Sequence, residues 1–157
     1  MTEQNGLTDD ERAWRSTPDT VVLAVEEQAR KFYSEGRLER ARQLCEKLIK
    51  MRPQVSQYHA LLGVIHRRED RLVPALQALQ TAVDLDANNR NALVNLAECL
   101  VIAGKVPEGA KLLRAIFDEG YDPEKPPEEH DVFTKRAGAQ LALLQKVVEG
   151  VSAEMAE

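Results

Sequence analysis

The chain has 157 residues, 43% hydrophobic and 30% charged, with a formal net charge of -5 from 26 acidic and 21 basic residues. This composition fits one folded domain or a short repeat array whose core needs no disulfide or metal, and it excludes a disordered or low-complexity chain. The acidic balance, without any basic run interleaved with aromatics, argues against nucleic acid as the main ligand.

No apolar stretch reaches the roughly 20 residues that cross a bilayer, so no membrane partner is expected. The opening MTEQNGLTDDERAW places acids where a signal peptide carries basic residues, so a cytoplasmic location is expected. Residues 1-17 read as an N-terminal arm in which Thr8 and Glu11 form a capping box for a short helix carrying Trp14. Ser16 or Thr17, before Pro18, is the expected start of the next helix.

From residue 18 to 123 the chain matches itself at a spacing of 34 residues, through copies at about 22-55, 56-89 and 90-123. A fixed period of this size marks a helical array. Ala29, Gly63 and Ala97 fall in register, as do Ala41, Ala75 and Gly109. Between these small pairs lie the turn positions Gly36, Asp70 and Gly104. Each copy therefore reads as helix, short turn, helix, with small residues where the antiparallel pair must approach closely. Larger apolar residues recur at three- and four-residue spacing around the crossing, for instance Leu61, Leu62 and Ile65 with Leu72, Leu76 and Leu79. Pro53 follows a second helix, while Pro74 and Pro107 stand in the first turn of one, where a missing N-H costs little.

After the third copy, YDPEKPPEEHD reads as an acidic, proline-rich loop, with His130 in a solvated turn. A last amphipathic helix carries Phe133, Ala137, Leu141, Leu144 and Val148 on one face. It is expected to cap the third repeat, so that 124-157 forms a loop and C-terminal cap.

No catalytic motif is present: there is no phosphate-binding glycine loop, no nucleophile elbow and no His-Glu-x-x-His. His59 and His66 share one helix face but fall where repeats carry core aromatics, so packing is expected there rather than metal binding. Cys45 and Cys99 lie far apart on helical segments and read as small apolar side chains. The chain is expected to be no enzyme and to need no cofactor.

Stacked helix pairs curve, and their first helices line the concave side, where such arrays hold a peptide or helix. The repeat frame projects Glu26, Arg30, Tyr33 and Ser34 onto that side from the first copy. The second copy supplies Gln57, Ala60, Val64, Arg67 and Arg68, and the third Asn91, Val94, Glu98, Val101 and Ile102. Apolar members would hold hydrophobic side chains of an extended peptide, while arginines bond its carbonyls or acids. Alternatively, several of these residues face the C-terminal helix or a dimer partner. A clamp for a terminal carboxylate is disfavoured, because Glu98 would repel it.

The 34-residue pattern resembles the tetratricopeptide repeat. The resemblance implies an all-α fold of three helix-turn-helix repeats in a short right-handed superhelix with a C-terminal capping helix. The segments FYSEGRLERARQLCEKLIKMRP, LLGVIHRREDRLVPALQALQTAVDLD and LAECLVIAGKVPEGAKLL further resemble the class II chaperones of type III secretion systems. That resemblance implies a non-enzymatic chaperone that keeps a secreted, membrane-inserting translocator soluble in the cytosol by holding an extended hydrophobic segment in the groove. It also implies a possible homodimer through the N-terminal arm, with Leu7 and Trp14. A scaffold joining components of a larger assembly is the competing expectation, and an accessory subunit regulating an enzyme a third.

Overall fold

The computed structural model describes residues 6-154, with side chains as far as Val151. Residues 1-5 of the expected arm and 155-157 of the expected cap lie outside the described residues. The described chain is helical: α1 (Asp9–Arg15), α2 (Asp19–Ser34), α3 (Leu38–Met51), α4 (Ser56–Arg68), α5 (Leu72–Leu85), α6 (Arg90–Ile102), α7 (Val106–Gly120) and α8 (Val132–Glu154). The expectation of an all-α fold of helix pairs holds. The chain divides into two compact units after Asp86, the first carrying α1 to α5 and the second α6 to α8.

Each repeat hairpin turns by the same device. Gly36, Asp70 and Gly104 adopt φ of +75°, +58° and +81°, the left-handed conformation in which a backbone can reverse at a helix end. Beyond each, the next N-H donates back across the helix end, Arg37 to Phe32, Arg71 to His66 and Lys105 to Leu100. The following helix then folds antiparallel onto the one it leaves.

The small residues sit at the crossings. Ala29, Ala41, Ala75 and Ala97 are fully buried, and a methyl added to Gly63 would lie 2.5 Å from Leu79 Cγ. In the first unit Val22, Ala29, Leu48, Met51 and Tyr58 form one apolar cluster, with Ala41, Cys45 and Ile65 forming a second. Cys45 donates its S-H to the Tyr58 carbonyl at 3.0 Å, and burial pushes its thiol pKa up to about 12. A thiol held protonated in this way behaves as a small apolar side chain.

The capping box at α1 forms as expected: Glu11 N-H donates to Thr8 Oγ1 at 3.2 Å, and Thr8 N-H donates to Glu11 Oε2 at 2.8 Å. The start of α2 differs. Pro18 is its N-cap, because the hydroxyls of Ser16 and Thr17 donate backwards to the carbonyls of Ala13 and Trp14. Arg52 ties this junction to the end of α3, donating to the Thr17 carbonyl at 2.8 Å and to Asp19 Oδ1 at 2.6 Å.

At the α4–α5 turn, His66 is buried, with Nδ1 standing 3.5 Å from Glu69 Oε2 and neither atom hydrogen-bonded. Burial, and then the nearby Arg71 charge, hold the His66 pKa below its ordinary value. The folded state thus favours the neutral ring. Its contribution is complete above about pH 6.5 and is lost as pH falls from there through the depressed folded value. Melting temperatures measured between pH 7 and pH 5 should fall less steeply for His66→Gln than for the unaltered protein; parallel curves would remove His66 from that account.

The second unit departs from expectation in two places. His130, expected in a solvated turn, is buried: its ring stacks on Tyr121 at 5.1 Å, Tyr121 stacks on Phe117 at 4.8 Å, and Nε2 lies 3.0 Å from the backbone N of Asp122. The proline-rich segment is therefore pinned at both ends, with a single 3-10 turn at Pro127–Glu129 between them. In α8, Phe133, Ala137, Leu141 and Leu144 pack with Leu113 and Ile116 of α7. Val148, expected on the same face, is 63% exposed, because α8 continues beyond the residues of α7 that cover it.

Candidate functional site

The first helices of the three repeats, α2, α4 and α6, carry the residues that the repeat frame assigns to a binding face. In the first unit side chains of α4 reach across to α2. Glu26 is half-buried and accepts from Arg30 Nη2 at 2.9 Å and from the Tyr58 hydroxyl at 3.0 Å. Burial, then the bond to Glu26, pushes the Tyr58 pKa up to about 12. Tyr33 lies beneath the Arg68 guanidinium, 4.8 Å from the ring centroid, and its carbonyl accepts from Arg68 Nη1 at 3.1 Å. Gln57 is exposed, Val64 and Arg67 are half-buried, and Ala60 is buried. The accessible part of this face therefore combines half-buried apolar side chains with charged groups already oriented by local bonds.

Two of the five α6 residues assigned to the open face are closed over. Val94 is fully buried in the cluster of Ala97, Leu113, Ile116 and Ala137. Glu98 is 8% exposed and accepts from Arg136 of α8 at 2.6 Å and 2.5 Å through its two oxygens. Arg136 also donates to Asn95 Oδ1 at 3.2 Å, and Asn95 donates to the Asn91 carbonyl at 2.7 Å. The alternative that some of these residues face the C-terminal helix describes Val94 and Glu98, because α8 crosses beside α6 here. Asn91 and Ile102 remain exposed and Val101 half-exposed.

Two residues of this face escaped the sequence reading. Tyr58 holds Glu26, and its place near the start of a first helix was the available signal. Leu23 is 63% exposed and occupies the same repeat position as Gln57 and Asn91, so the repeat frame alone would have found it.

Among the described residues no group of three or more His, Cys, Asp or Glu side chains is placed to hold a metal ion. His59 Nε2 lies 2.8 Å from the Pro53 carbonyl. No described helix is long and apolar enough to cross a membrane.

The tetratricopeptide repeat profile matches residues 26–90 and 74–122. No curated protein matches the chain. Among solved structures, a type III secretion complex from Aeromonas hydrophila is similar at a TM-score of 0.74 and 17% identity, covering 93% of this chain and 93% of that one. PcrH, known from Pseudomonas aeruginosa, in complex with the chaperone-binding region of PopD, gives 0.71 and 19%, covering 84% and 96%. The Yersinia enterocolitica chaperone SycD with a peptide of the translocator YopD gives 0.70 and 19%, covering 82% and 95%. At these identities the likeness is one of fold.

Proposed function

We propose, from the premise that this chain belongs to the tetratricopeptide repeat family, that it is a non-enzymatic, peptide-binding chaperone. Its client is a secreted, membrane-inserting translocator-type protein whose extended hydrophobic segment it keeps soluble in the cytosol. The observation that carries this reading is the likeness of fold to SycD, seen with a peptide of the translocator YopD, and to PcrH, seen with the chaperone binding region of PopD, each covered over at least 95% of its length. Residues 18-123 form the binding module, flanked by the N-terminal arm and by the loop and helix of 124-157. A homodimer through the arm is part of the same proposal.

The first-helix face suits such a client physically. Leu23 and Val64 offer apolar surface that an extended segment would dehydrate. Arg30 and Arg67 offer donors for its carbonyls, which lose water on binding and must be satisfied. The ordering cost of an extended peptide keeps the complex releasable.

The test is co-expression followed by identification of what co-purifies at stoichiometric levels. A protein with membrane-inserting segments, insoluble when made alone, is expected to co-purify. Leu23→Glu and Val64→Glu should each lower its recovery at least tenfold while the circular dichroism spectrum stays helical. Recovery of folded, soluble partners alone, unaffected by either substitution, would leave the scaffold reading in its place.

A further inference from the structure

The turn end of the first unit carries a charge opposite to that of the chain. The segments 37-42 and 67-71 hold six arginines against three acidic residues, in a protein of net charge -5. Three of these guanidiniums gather on two successive aromatic residues. Arg37 and Arg40 stand 4.4 Å and 5.9 Å from the centroid of Phe32, and Arg68 stands 4.8 Å from that of Tyr33. All three arginines are exposed.

Asp70 is exposed at the turn, while the other acids nearby are engaged. Glu69 is half-buried and lies 3.4 Å from Arg42 and 3.6 Å from Arg71. Glu39 accepts from the Gln43 amide at 3.4 Å, and Glu35 faces Arg37 at 3.4 Å. Arg40 and Arg68 make no ion pair among the described residues. An arginine resting on a ring has lost part of its rotamer freedom before any ligand arrives, and its planar fork still offers paired donors to a carboxylate.

We infer that this end of the α2–α3 and α4–α5 hairpins is a docking surface for an acidic protein segment, whose carboxylates are received by Arg37, Arg40, Arg68 and Arg71. Charge complementarity selects that occupant. The two rings already carry guanidiniums, so they make no stacking platform for bases. Glu35 and Glu39, set among the arginines, would repel a uniformly charged phosphate backbone. A protein segment can instead alternate acidic with neutral residues. The surface goes beyond the client reading, because it requires no apolar contact and lies at the hairpin turns.

The probe is a fluorescein-labelled twelve-residue peptide of alternating glutamate and serine, titrated with the full chain by fluorescence anisotropy. Saturable binding is expected at low salt, weakening at least fivefold from 50 to 300 mM salt. Arg40→Glu with Arg68→Glu should weaken it at least tenfold, and Lys105→Glu with Lys111→Glu should leave it within twofold. Arg40→Glu alone keeps the test open should the double variant lose its helical spectrum, and at least a threefold loss is expected from it. The inference fails if the matching glutamine and serine peptide binds equally well, or if the arginine variants keep the affinity. It also fails if single-stranded DNA or phosphatidylserine vesicles bind as tightly and lose binding in the same variants. None of these outcomes bears on recovery of the hydrophobic client.

Discussion

Arg136→Leu is expected to destabilise the protein by about 3 kcal/mol, because it leaves the buried Glu98 carboxylate without the guanidinium that holds both its oxygens. Leucine keeps an apolar side chain at this position, shorter and branched, so most of the loss comes from the unpaired carboxylate. Bringing two charges out of water is itself costly, and the double variant Glu98→Leu/Arg136→Leu should recover most of the stability lost. Denaturant unfolding of the two single variants and the double variant checks this. A double variant no more stable than Arg136→Leu would mean that Glu98 contributes through contacts other than this pair.

Gly109→Leu is the second large effect. A Cβ at this position would lie 2.6 Å from Val101 Cγ2 and 2.8 Å from the Ala97 carbonyl oxygen. The Val101 side chain can turn aside, but the carbonyl belongs to α6 and moves only if the helix moves. Replacing a helical glycine gains about 1 kcal/mol in backbone propensity. Overpacking a close crossing costs about 1 to 3 kcal/mol, occasionally more, and leucine adds three further carbons to the clash. With the extra carbons putting the cost at the top of that range, the net loss should be about 2 kcal/mol, which lowers the melting temperature by roughly 4 to 8 °C for a chain of this size. Ala115→Leu, at an exposed position of the same helix, should leave it within about 1 °C. Equal melting temperatures for the two variants would place the crossing elsewhere.

These two positions differ in how visible they were. Gly109 stands in register with Ala41 and Ala75, so the need for a small residue can be read from the 34-residue period. Arg136 belongs to no repeat, and the irregular segment before α8 destroys the register that would have aligned it with anything. The repeat frame put its partner Glu98 on the open concave side. What closes over Glu98 is an arginine 38 residues away.

The same division runs through the proposed binding face. Which residues fall on one side of each of α2, α4 and α6 follows from helical geometry and the repeat frame, both local properties. Which of them remain open does not: Ala60 and Val94 occupy equivalent repeat positions with Glu26, yet both are buried while Glu26 is half-exposed.

By itself, the amino-acid sequence determined the helices, their pairing and their turns. Small residues at a crossing, left-handed turn positions and apolar periodicity act within a few residues of where they stand. Only the tertiary structure decided the burial of His130, the closure of Val94 and Glu98 beneath α8, the Tyr58 bond to Glu26 and the gathering of arginines over Phe32 and Tyr33. Each of these depends on a side chain brought in from another element, and burial or charge pairing is a property of such neighbours rather than of the residue that feels it.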